Sequence, residues 1–201
     1  MTDTPAPARP SLNKVAVPIV GEFLLGISVA MAGLYLASHT SDAAAGAFGL
    51  AQQVQESLAV LFRILAIGLG VVLTQYLGGQ RHHDARQTAY AALGASTWVG
   101  VLAALWLLAG GQLTLDGLNA PEAVRPMAMT YMMLLAPAMV LEVYNLSMAS
   151  VLRAHLFARE SLFVMFVMHG SHLAGAWLLM RGLGDWPGWG LNGYAAAWFL
   201  S

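Results

Sequence analysis

The stretch Ala45–Leu77, AGAFGLAQQVQESLAVLFRILAIGLGVVLTQYL, decides the fold. Glu56 and Arg63 are its only charged side chains, and it exceeds the roughly 20 residues a helix needs to cross a hydrocarbon core. Strands end after about 5–6 residues, so length alone excludes a sheet. Nor can the rest of the chain shield such a stretch from water. Hydrophobic residues make up 58% of the 201 residues and charged ones 9%, against roughly a quarter in soluble domains. Lipid is left as the solvent for most of the surface.

The same pattern recurs on both sides. Apolar stretches run over about 15–37, 45–77, 88–110, 127–152, 161–180 and 190–201, with polar punctuation between them. The fold class expected is therefore all-α integral membrane, with six transmembrane helices. About 12 residues of the sixth are present, a rise of ~18 Å against the ~30 Å of the core, so this helix is incomplete and the chain reads as truncated. Residues 1–14, MTDTPAPARPSLNK, read as a polar, Pro-rich cytoplasmic tail, and the apolar run behind them is too long for a signal-peptide core. Nine basic and ten acidic residues nearly cancel, which leaves no field to bind nucleic acid. Cysteine is absent, so disulfides and thiolate metal sites are excluded.

Loop charge predicts the orientation, because Lys and Arg near helix ends stay cytoplasmic. Arg9 and Lys14, Arg81 and Arg86, and Arg153 and Arg159 mark the inner side, with His82 and His83 solvated in the second loop. The first loop has only Asp42, and the third sets Asp116 and Glu122 against Arg125, so both belong outside. The fifth, RGLGDWPGWG, carries two Trp and a Pro suited to the outer headgroup layer.

Charge at membrane depth is costly and faces a polar cavity or a partner. Glu56 and Arg63, seven apart, share a helical face without direct contact; they either pair structurally and snorkel or line a transport cavity. Glu22 follows Pro18 by one turn, where a proline loosens the helix, and is either a gating carboxylate or a wet interfacial one. Glu142 follows Pro137 inside the fourth helix, with Tyr144 and Asn145 beside it, and reads as cavity-lining. His169 and His172, three apart on one face of the fifth helix, suit proton coupling or buried hydrogen bonding. As metal ligands they lack third and fourth partners. No nucleophile and base stand at a recognisable spacing, so nothing points to an enzyme, and no cofactor is expected.

Several segments in series resemble the multidrug and toxic compound extrusion (MATE) transporters, a family of cation-coupled exporters. VPIVGEFLLG is similar to their opening proline-containing helix, and AAGAFGLAQQV to the small-residue entry into the second. GLGVVLTQYLGGQRHHDAR resembles the end of the second helix and its basic loop, with Gln75 and Gly78 in place. LDGLNAPEAVRPMAMTYMMLLAPAMV is similar to the approach to the fourth helix, including Pro121, Glu122, Tyr131 and Pro137. VLRAHLFARES resembles a Leu-Arg-Gly turn, with Arg153 in place and Ala154 where glycine is usual, and GLGDWPGWGLNGYAAAWFLS the fifth loop and start of the sixth helix.

The resemblance implies one six-helix lobe, residues 15–201, of a two-lobe transporter with a cleft between lobes; the second lobe would come from an absent C-terminal half or another chain. It also implies a secondary antiporter of the inner membrane, exporting small amphipathic, cationic substrates for H⁺ or Na⁺. The runner-up is a flippase for lipid-linked intermediates, whose cleft would need several cations where only Arg63 is available. A truncated, non-transporting membrane protein is the third. In many relatives Asp residues of the first and fifth helices carry the cation; here the matching positions are Gly33 and Ala176, and His169 and His172 stand where Asn is common. The His pair, with Glu22 or Glu142, would then take over proton exchange. Na⁺ suits this lobe less, because hard cations want oxygens. Trp98, Trp106, Tyr131, Tyr144 and Trp177 are candidate stacking partners for planar cations, with core packing or the interfacial belt as the plainer reading.

The lipid requirement is directly testable. The purified polypeptide should sediment as aggregate in detergent-free buffer and run monodisperse in detergent; monodispersity without detergent would refute the membrane assignment.

Overall fold

A computed structural model describes residues 12–200. Among these the helices are α1 (Leu12–Ser38), α2 (Asp42–Gly78), α3 (His82–Gly117), α4 (Arg125–Ala154), α5 (Ala158–Arg181) and α6 (Leu191–Ala197). The first five are long and apolar enough to cross a membrane. The chain is thus an all-α integral membrane protein, as its composition demands. Arg9 and most of the expected tail lie outside the described residues, whereas Lys14 already belongs to α1.

Hydropathy locates the helices but underestimates their ends. The expected third span, 88–110, is a helix of 36 residues, and the second has 37. At 1.5 Å per residue each is about 55 Å long, well beyond the ~30 Å of hydrocarbon. Their polar ends stay helical outside the lipid, so the basic second loop shrinks to residues 79–81 and His82, His83 and Arg86 sit on the first turns of α3. The sixth segment is shorter than expected. Only Leu191–Ala197, 7 residues, is helical, a rise of about 10 Å.

Between α5 and α6 the chain folds into a compact loop. Leu183 and Trp186 form an antiparallel bridge, and the Trp189 N–H donates to the Leu179 carbonyl at 2.8 Å, returning the loop onto the end of α5. Gly182 and Gly188, at φ 78° and 75°, are pressed backbone to backbone where a Cβ would collide. Trp186 meets Trp189 edge to face at 5.6 Å.

Helix α4 is the centre of the bundle. Half of its most apolar window is buried, against 17–28% in the other spans, and it packs on α2, α3, α5 and α6. Lipid is as apolar as a leucine side chain, so helices associate here through close contact and hydrogen bonds. At Gly100 of α3 an added Cβ would stand 2.6 Å from the Val140 Cα and 2.8 Å from Val143 Cγ1 of α4. Nearby, Ser96 and Ser147 hydroxyls share a 2.6 Å hydrogen bond, and Ser150 donates to the Ala66 carbonyl of α2 at 2.5 Å.

Gly100→Val should therefore cost about 1–3 kcal/mol or more by overpacking, seen as a lowered melting temperature by tryptophan fluorescence in detergent. Gly94→Val, on the same helix with nothing within 4 Å of an added Cβ, should melt close to the parent.

Candidate functional site

The ionisable groups at membrane depth fall into three clusters. The first joins α1 to the end of α4. Glu22 is buried, 8% exposed, and its Oε2 accepts a 2.7 Å hydrogen bond from Arg153 Nη1. Arg153, read from sequence only as an inner-loop charge, thus spans 131 positions of chain to neutralise a carboxylate one turn beyond Pro18. Both helices begin or end at this face, which is why the two side chains meet.

The second cluster lies on α2 and α4. Gln55 Nε2 donates to Glu142 Oε2 at 3.2 Å, and no cation pairs with Glu142 among the described residues. Glu56 and Arg63 contradict the expectation of no direct contact: Arg63 Nη2 reaches Glu56 Oε2 at 3.2 Å, with Gln52 donating to Glu56 Oε1 at 3.5 Å. Side chains on a helix lean toward its N-terminus, so the long arginine closes a rise of about 10 Å. Both partners are about half exposed on the lobe surface. Tyr144 and Asn145 are exposed on α4, where Asn145 Nδ2 contacts Met168 Sδ of α5 at 3.3 Å.

The third cluster contains the histidines. His172 is fully buried, stacked on Trp198 at 4.1 Å and edge-on to Tyr194 at 4.7 Å; His169, 8% exposed, meets Trp198 at 6.2 Å. Tyr194 in turn packs on Phe48 at 5.1 Å and Tyr131 at 6.5 Å. These rings fill the space at Gly33. An added Cβ there would stand 2.5 Å from the Tyr194 hydroxyl and 2.7 Å from Phe48 Cζ, and Ala176 is likewise fully buried. At Gly33 aromatic packing leaves no room for a larger side chain.

The expected site residues therefore divide rather than converge. Among the described residues no hydrogen bond or ion pair joins Glu22 or Glu142 to either histidine, and among them no three acidic, His or Cys side chains gather as a metal would require. Tyr131 is core, whereas Trp98, Trp106 and Trp177 are exposed, the last beneath Arg181 at 5.7 Å. Sequence reasoning missed Gln55, although the polar run QQVQE inside an apolar helix was its signal. It also missed Tyr194 and Trp198, which only the fold-back of α6 brings to α5.

The Glu22 pair gives a clear expectation. Arg153→Met strands a buried carboxylate and should cost about 3–5 kcal/mol, whereas adding Glu22→Leu should recover most of the loss in melting temperature.

The MatE family profile matches residues 18–178. A protein of Bacillus subtilis (strain 168), described as the uncharacterized transporter YisQ, is 25% identical over 193 residues, covering 95% of this chain and 42% of that protein. Among solved structures, a MOP superfamily transporter from Pyrococcus furiosus, reported with reversed binding-pocket polarity, aligns at TM-score 0.84 and 19% identity, covering 93% of this chain and 40% of that one. A MATE protein in its bent conformation aligns at TM-score 0.85 and 19% identity, covering 93% and 41%. The chain thus spans about two fifths of the length of these relatives, the extent of one lobe. With the profile running from Pro18 in α1 to Leu178 in α5, the chain belongs to the MatE family.

Proposed function

We propose that this lobe lines one wall of the cavity of a secondary antiporter that exports amphipathic, cationic compounds in exchange for protons, with Glu142 as the proton-exchanging group. The observation that carries this reading is the Gln55–Glu142 contact. A carboxylate held by a neutral amide gains or loses a proton without abandoning a buried countercharge, whereas Glu22 is bound to Arg153 and cannot. The amide serves both states, since its NH₂ donates to the carboxylate and its oxygen accepts from the acid.

The half-exposed Glu56–Arg63 pair supports the placement of the cavity. Two charges on the apolar α2 require a watery lumen or a protein partner, so this face turns toward a second six-helix lobe and away from lipid. Tyr144, Asn145 and Trp177 offer exposed stacking and polar contacts for a flat cation. A lipid-linked anion would need free cations on this wall, and Arg63 is neutralised by Glu56. In this reading the N-terminus is cytoplasmic and the membrane is the inner one. Na⁺ is the alternative coupling ion, and the His169–His172 pair the alternative proton carrier.

Proteoliposomes bearing the full-length transporter, loaded with a cationic dye and given a pH gradient, test the assignment. Dye efflux should follow the gradient, and Glu142→Gln should lower it about tenfold or more, or ~1.4 kcal/mol. Undiminished efflux in Glu142→Gln together with loss in His172→Ala would transfer the role to the histidines. Efflux following only a Na⁺ gradient would reject proton coupling.

A further inference from the structure

The groove where α3 meets the ends of α2 and α4 has a chemistry that the transport reading does not use. It encloses about 380 Å³. Its body is apolar, built by Ala85, Ala89 and Leu93 of α3 with Met148 and Val151 of α4. Its rim is basic: Arg86, His82 and His155 all border it. From Arg86 to Leu93 the helix rises about 10 Å, so an apolar trough leads inward from the basic rim toward the hydrocarbon.

Arg86 supplies the rim's fixed charge. Arg63, Arg81, Arg125 and Arg153 each hold a carboxylate, whereas Arg86, like Arg159 and Arg181, has none within ion-pair distance among the described residues; it lies 5.6 Å over the Tyr90 ring at the mouth of the groove. The nearby acid Asp84 is occupied by Arg81 at 2.7 Å. His155 Nδ1–H donates to the Val151 carbonyl at 2.9 Å, which leaves Nε2 for a ligand; the ring carrying both protons donates from Nε2 to a phosphate. The rim thus carries an uncompensated guanidinium, and the positive end of α3 adds to its field.

We propose that this groove binds one anionic phospholipid, its phosphate on Arg86 and His155 and an acyl chain along Ala89, Leu93 and Met148. Charge and dimensions both select this ligand. A guanidinium grips phosphate through paired N–H donors, a basic recess between membrane helices favours an acidic headgroup, and an apolar trough beside it accepts the start of an acyl chain but offers a free anion nothing.

Native mass spectrometry of the full-length protein, with phosphatidylglycerol and phosphatidylcholine of identical chains, tests this. One phosphatidylglycerol should stay bound that phosphatidylcholine does not displace. Arg86→Gln should lose it, Arg86→Lys should keep it, and Leu93→Trp, which fills the trough, should lose it with the basic rim intact. Arg181→Gln, the same charge change at the far end of α5, should have no effect. Unchanged retention in Arg86→Gln, equal retention of both lipids, or release by inorganic phosphate would each overturn the proposal. If Arg86→Gln does not purify as a monodisperse protein, Leu93→Trp decides alone.

Discussion

The close approach of α3 and α2 to α4 is the constraint on which the rest of the lobe depends. Within lipid no hydrophobic force drives one apolar helix onto another, so the bundle is held by contact distance and a few hydrogen bonds. Gly100 admits the backbone of α4 at Val140, and Ser147 and Ser150 bind across to α3 and α2. Because α4 is fixed in this way, it can carry Glu142 toward Gln55 of α2, and its end can carry Arg153 toward Glu22.

Charge is distributed by the same economy. The buried carboxylate of Glu22 has a guanidinium, and the exposed pair on α2 neutralises itself. Glu142 stands apart, held by an amide in a half-buried position. At the loop before α4, Arg125 binds Asp116 and also donates to the Ala120 carbonyl at 3.2 Å, closing the α3–α4 turn. Of the ion pairs among the described residues, Arg153–Glu22 and Arg125–Asp116 fasten one helix to another, whereas Arg63–Glu56 and Arg81–Asp84 close within one.

How much of this was readable from sequence follows from what each signal measures. Hydropathy senses solvent, so it found Ala45–Leu77 and its neighbours as lipid spans but missed that α3 continues through the polar HHDARQ. Spacing on one helix predicted a shared face for Glu56 and Arg63 but not the reach of the arginine side chain that closes the gap. The histidine pair was visible as three-residue spacing, yet its surroundings were not. Trp198 and Tyr194 come from a helix that folds back after the glycine-bent loop, and nothing local in the sequence encodes that return.

The aromatic filling at Gly33 has a historical side. The small residue on α1, the ring of Tyr194 and the ring of His172 occupy one volume, so their identities are mutually dependent. An acidic side chain could enter α1 at this position only after the tyrosine had been given up, and losing the tyrosine first would open a void beside Phe48. Neither single change is comfortable, so the two positions are epistatically locked: no one codon change opens this part of the lobe to a larger side chain.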